Sequence, residues 1–218
     1  MRWKKKLSLL ICIASDLQII HSQDLIHRDL HSGNILLNDL NHAYIADLGL
    51  STTVNIASTS KSDGIYGVLP YIDPEVFDSQ LYTQKSDIYS FGIIMWEILY
   101  GKPVVFKPVD FNTGLQLQIY NGLRPHILEG TALCYTDLMK KCWSKEPVER
   151  PSAVEIHDIF TKWLNDQNIL LELSKSDKKI QSIENEQVPV YDHESYTSQL
   201  ISWNDIRCCI GNIFCFFN

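Results

Sequence analysis

Two aspartates and an asparagine define the chemistry open to this chain. Asp29 stands in "HRDLHSGNILL", residues His27 to Leu37, with Asn34 five positions later, a basic residue before it and an apolar run after it. Asp47 follows in "ADLG". Carboxylate and carboxamide oxygens are hard ligands, suited to a cation that keeps several of its waters. An isolated Asp or Asn near a turn more often bonds its own backbone, so the weight of these three rests on what surrounds them. His27 and His31 have an H-x3-H spacing, but no second ligand pair accompanies them, and a structural zinc needs four ligands.

The elements that must position these residues are legible from periodicity. Trp3, Leu7, Leu10, Ile11, Ala14 and Leu17 fall on one helical stripe, which predicts a helix over Arg2–His21 leading into the loop at His27. The opening "MRWKKKLSLLICIAS" superficially has the basic start and apolar run of a secretory signal. The stripe continues past any cleavage point, so the helix is the reading adopted. "ILL" and "AYIA" read as two short strands joined by the turn formers of "NDLNH". "SDIYSFGIIMWEILYG" is apolar nearly all round, which predicts a buried helix stopped at Gly101, with Ser86 or Asp87 as its cap. Further helices are predicted at Thr113–Asn121, Thr131–Trp143 and Ala153–Leu164. The stretch from Asp47 to Glu75 is long and rich in Ser and Thr, which predicts a functional or mobile loop.

Bulk properties bound the answer. The 218 residues are 45% hydrophobic and 21% charged, as in a soluble globular protein with one sizeable core and a tail. A net charge of −7 disfavours general binding to nucleic acid. Six cysteines without a C-x-x-C pair point to reduced thiols and a cytoplasmic location. From about Ser174 ("SKSDKKIQSIENEQ") the composition predicts weak order, so residues 165–218 read as a tail. The terminal "IRCCIGNIFCFF" is apolar but too short for a transmembrane span. Interfacial contact, palmitoylation of Cys208 or Cys209, and frayed sequence are all compatible with it.

"HRDLHSGN", "ADLG", "YIDPE", "SDIYSFGIIMWEI", "NGLRP" and "CWSKEPVERPSA" occur in the order found in the C-terminal lobe of protein kinases. Residues 1–164 resemble that lobe, most closely in the tyrosine-kinase-like group. The resemblance implies a mainly α fold, a kinase-like C-terminal lobe with short β-strands beside the catalytic loop and the N-terminal lobe missing. It implies ATP and Mg²⁺ as cofactors, with Asp29 orienting the substrate hydroxyl, and Asn34 and Asp47 holding the metal. Leu36 matches the apolar floor under adenine. For the architectural positions the resemblance implies that His27 packs beneath Leu48, that Asp87 accepts hydrogen bonds from the catalytic loop's backbone or from Arg28, and that Glu75 and Arg150 form a partly buried ion pair. Arg28 implies phosphate binding on the activation segment, with Ser58, Thr59, Ser60 and Ser62 as candidate acceptors.

Three departures qualify the match. Leu48 replaces a Phe and keeps an apolar plug; Asp73 puts a carboxylate where a small Ala usually packs, which bears on how the activation segment fits. His31 stands where serine/threonine kinases usually carry Lys and tyrosine kinases Arg or Ala, whereas "GVLPYIDPE" leans toward serine/threonine specificity. No G-x-G-x-x-G occurs in the chain, and the strand Lys and helix Glu of a kinase N-lobe have no place upstream of His27. The expectation is therefore a kinase catalytic lobe that is inactive alone, acting on a protein substrate with an N-lobe or kinase partner. The alternative is a non-catalytic, pseudokinase-like binding module.

Overall fold

The amphipathic stripe near the start becomes the inner face of α1 (Trp3–Ser22), where Leu7, Leu10, Ala14 and Leu17 are completely buried. In this computed structural model the described residues are 1–38, 42–54, 64–104, 106, 114–184 and 199–202. They form a mainly α lobe. Its centre is α3 (Gln84–Tyr100), in which every residue except Gln84, Lys85 and Ile98 is buried. Around it lie α1, α5 (Leu133–Cys142) and α6 (Ala153–Asn165), while α2 (Pro74–Ser79) and α4 (Leu115–Tyr120) pack on each other at the edge of a second, smaller apolar cluster. No helix among the described residues is long and apolar enough to cross a membrane.

Helix ends follow local chemistry. Gly101 closes α3 in the left-handed region at φ 67°, donating its N–H to the Glu97 carbonyl. The cap at the other end is Thr83, not Ser86 or Asp87. Thr83 accepts from the Ser86 N–H, and the Ser86 hydroxyl answers the Thr83 N–H. The helix thus begins a turn earlier than the apolar run alone indicates, and Asp87 is left for other work. Ser152 and Glu155 form the same kind of box on α6.

The strands are short and paired two by two. β2 (Ile35–Leu37) and β3 (Ala43–Ile45) make an antiparallel hairpin with Ile35 opposite Ile45. β1 (Leu25–Ile26) pairs with β4 (Thr52–Thr53), and β5 (Gly64–Gly67) pairs with β6 (Gln199–Ser202), both antiparallel.

The polar stretch after residue 165 departs from its composition. Residues Gln167–Glu184 form a further helix, α7, rather than a weakly ordered run from Ser174. Leu170, Leu173 and Ile180 enter the main core. The Ser176 hydroxyl accepts from the Ala132 N–H at 2.9 Å, and Asp177 meets the buried Lys6 ammonium at 3.2 Å. Lys175, Lys178 and Lys179 of that charged run are exposed, while Asp177 turns inward to Lys6.

Candidate active site

The loop after α1 is held by one carboxylate. Asp87, buried in the first turn of α3, accepts from the backbone N–H of His27 at 2.9 Å and of Arg28 at 3.0 Å, and meets His21 Nε2 at 2.9 Å. Two consecutive amides turned onto one side chain bend the backbone sharply, and Arg28 sits at φ 73°. That conformation costs a non-glycine residue about 1–3 kcal/mol, so it persists only where its surroundings enforce it. Asp87 is the enforcing group. His21 was not a candidate from sequence; its place on the last turn of α1 carries no signal of its partner.

The next residue is Asp29, 6% exposed. The Asn34 amide nitrogen donates to the Asp29 carbonyl at 2.9 Å and lies 3.5 Å from Asp29 Oδ2. With the amide nitrogen so used, Oδ1 is the acceptor that the Asn34 side chain has to offer. His31 accepts from the Gly33 N–H through Nδ1 at 3.1 Å, and its Nε2 lies 3.7 Å from Asp29 Oδ2. With Nδ1 acting as acceptor, Nε2 is the nitrogen that carries hydrogen toward the carboxylate. Gly33 is what makes room: a Cβ there would stand 2.7 Å from the His31 ring.

The hairpin brings the second aspartate alongside. Ala46 N–H donates to the Asn34 carbonyl at 2.8 Å, so Asp47 begins where β3 ends, next to the start of β2. Asp47 is exposed and left-handed at φ 59°, with Oδ1 accepting from the Gly49 N–H at 3.1 Å. His27 fixes the residue before it. Its Nε2 meets the Ala46 carbonyl at 3.1 Å, so Nε2 holds the proton, while buried Nδ1 has no partner among the described residues. Leu48 does not plug the core above His27; it is 50% exposed, lying on a short helical turn that faces outward. Leu36 is 57% exposed on β2.

Arg28 lays its guanidinium over the Tyr82 ring, 4.8 Å from the centroid, and reaches the Leu50 carbonyl at 3.5 Å. Ser58, Thr59, Ser60 and Ser62 lie outside the described residues.

The largest correction concerns Arg150. Its fully buried guanidinium takes Asp73, not Glu75, by a two-pronged ion pair: Nη1 to Asp73 Oδ2, and Nη2 to Asp73 Oδ1 at 2.9 Å. Nε donates to the Ser144 carbonyl at 2.9 Å and Nη1 to the Lys85 carbonyl at 2.9 Å. Asp73 Oδ1 also accepts from the Glu75 N–H, capping α2. The carboxylate that reads as an intrusion is therefore the anchor of the segment. Glu75 is only partly buried, and its carboxyl is held above the ordinary value, by burial first and by the Asp73 charge second, with Arg150 opposing.

Asn34 Oδ1 and the Asp47 carboxylate are two hard oxygen donors at adjoining ends of one hairpin. That set fits Mg²⁺, which takes one or two protein oxygens and fills its remaining positions with water and phosphate.

A family model described as protein tyrosine and serine/threonine kinase matches residues 1–160. Among curated proteins, the probable serine/threonine-protein kinase roco5 of Dictyostelium discoideum is 36% identical over 168 residues, which is 71% of this chain and 6% of that protein. Another probable serine/threonine-protein kinase of Dictyostelium discoideum is 33% identical over 156 residues, 72% of this chain and 11% of its own length. The serine/threonine-protein kinase STY17 of Arabidopsis thaliana is 27% identical over 163 residues, 73% of this chain and 28% of that protein. The chain thus spans a minor part of each of these relatives.

Proposed function

From the chain's membership of the protein tyrosine and serine/threonine kinase family, we propose that it supplies the catalytic-loop half of a phosphotransferase acting on serine or threonine hydroxyls of proteins. The observation that carries this reading is the Asp87 clamp. One buried carboxylate holds the His27 and Arg28 amides and so presents Asp29, already bonded to Asn34, at the loop's inner turn. The names of the relatives, all serine/threonine kinases, favour the hydroxyl class.

Asp29 would accept a hydrogen bond from the substrate hydroxyl and take its proton as the oxygen bonds to the transferred phosphorus and the bond to the leaving phosphate oxygen breaks. Asn34 and Asp47 would hold Mg²⁺, whose charge offsets that of the phosphate oxygens. Leu36 would lie beneath the adenine. The 218 residues contain no glycine-rich loop, so amides and a lysine for the phosphates have to come from another segment or partner. Phosphoryl transfer depends on positioning and charge stabilisation in a closed site, so this half by itself forfeits most of the advantage.

A second reading, a binding module that regulates partner proteins, is favoured by the apolar side chains that the hairpin exposes, Leu36 and Tyr44 on one face and Leu37 on the other, at 57%, 45% and 59%. Calorimetric titration with Mg·ATP and a phosphotransfer assay separate the two. The chain alone should show neither micromolar affinity nor turnover; joined to a kinase N-lobe it should gain turnover that Asp29→Asn abolishes. Nucleotide binding by the joined protein without Asp29-dependent turnover selects the binding module. Micromolar affinity and turnover by the chain alone would show that this lobe needs no second half.

A further inference from the structure

β5 ends at the catalytic carboxylate. A Cβ on Gly67 would stand 3.5 Å from Asp29 Oδ1 and 3.2 Å from Ile72 Cγ1, so the residue lies against the carboxylate, and its φ of +146° favours glycine there. The strand is anchored from within. Ile65 is completely buried in the cluster with Ile26, Ile72, Val76, Phe77 and Tyr82, and the Tyr82 hydroxyl donates to the Tyr66 carbonyl at 2.8 Å. A strand held this way offers its remaining backbone edge to any extended chain that can pair with it. That edge leads directly to Asp29.

The edge is taken by the protein itself. β6 runs antiparallel along β5, with Gly64 opposite Ser202, Ile65 opposite Ile201, Tyr66 opposite Leu200 and Gly67 opposite Gln199. The pairing places Gln199 at the end of the strand nearest the Asp29 carboxylate.

We propose that Gln199–Ser202 is a built-in occupant of the edge along which an extended acceptor peptide docks, so that substrate has to displace this strand to reach Asp29. The inference rests on the kinase reading for the use of the edge, but the pairing itself does not. Residues 185–198 tether the strand, and a short tether sets a local concentration on the order of millimolar. A free peptide that pairs no better therefore competes poorly at micromolar concentration. The partner this surface fits is an extended segment with free backbone groups, taken up as a third-party strand in place of β6.

The test uses the full chain and the double variant Leu200→Pro/Ile201→Pro. The two positions are adjacent, so at least one of them carries a ladder bond whichever way the pleat falls, and proline cannot donate it. Two quantities are measured without nucleotide: hydrogen exchange of the Ile65 and Gly67 amides, which face β6 because the Tyr66 backbone between them turns to Tyr82, and the fluorescence anisotropy of a labelled peptide carrying residues 196–204 of this chain, YTSQLISWN. The variant should exchange these amides at least tenfold faster and bind the peptide at least tenfold more tightly, with an unchanged melting temperature showing that the core is intact. Equal exchange in the two proteins, or equal peptide affinity, overturns the proposal. If the melting temperature falls, the same peptide is titrated against the unmodified chain up to millimolar concentration. Saturable binding with altered exchange at Ile65 and Gly67 supports the proposal, and no effect on those amides overturns it. Gain of peptide binding without Asp29-dependent phosphotransfer in the N-lobe-supplied protein would sink the kinase reading and leave the occupied edge standing.

Discussion

Arg150 finds Asp73 because the cap of α2 and the guanidinium share one buried pocket. Asp73 precedes Pro74, where its carboxylate both caps the helix and faces inward, whereas Glu75 one turn-step later points to the partly exposed side. Removing one partner of a fully buried pair leaves the other charge uncompensated. Arg150→Ala or Asp73→Ala should each lower stability by about 3–5 kcal/mol. Glu75→Gln should not. The Glu75 carboxyl is held above its ordinary value of 4.5. A raised carboxyl favours the fold while protonated, and that contribution is lost as pH rises from the ordinary value through the raised one. Glutamine stays neutral throughout, so Glu75→Gln should flatten the decline over that interval and leave stability at neutral pH equal or higher. Urea midpoints from about pH 4 to pH 7 check both statements; a Glu75→Gln loss as large as that of Arg150→Ala would restore Glu75 as the partner.

At the scale of elements, α3 works because both its ends and its middle are specified. Thr83 and Ser86 close the start, Gly101 the end, and Gly92 lets α5 approach: a Cβ there would meet Cys142 Cβ at 2.9 Å, with the Trp143 backbone just beyond. Neither neighbour is a flexible tip that can swing aside. Gly92→Ala should therefore destabilise by about 1–3 kcal/mol despite its higher helix propensity. Thr83→Ala should cost about 1 kcal/mol through the lost cap, whereas Ser86→Ala, at the reciprocal member of the box, should cost less. Thermal unfolding of the three variants ranks them, and a Gly92→Ala variant at least as stable as the parent would mean the helices separate more readily than their packing indicates.

For the whole molecule, α7 extends the lobe beyond the point where composition turns polar. Leu173 is completely buried, and Lys6, itself buried, joins α1 to α7 through Asp177 and to α3 through the Leu99 carbonyl at 2.8 Å. Leu173→Ala should cost about 2–5 kcal/mol and broaden or shift the unfolding of the entire lobe. A separable tail would leave the main transition untouched. Further along the same stretch, β6 pairs with β5, whose Gly67 lies beside Asp29, so the region after residue 165 reaches both the core and the edge next to that carboxylate.

Sequence by itself determined the family and most of the elements that carry the site. The order of the motifs from "HRDLHSGN" to "CWSKEPVERPSA", the stripe of α1, the unbroken apolarity of α3, the β2–β3 hairpin and the Ser152 start of α6 are all local signals, set by residues within a turn or two of each other. A trace of α7 was present too, in Leu170, Leu173, Asp177 and Ile180 at helical spacing, but the charges between them masked it. Tertiary structure alone decided which of two nearby carboxylates reaches Arg150, that His21 joins the Asp87 clamp, that Leu48 faces outward, and that Gln199–Ser202 lies on Gly64–Gly67. Three of these join residues far apart in the chain. Such pairings depend on which way a side chain or a strand edge faces once the core has closed, and no periodicity in the chain records that direction.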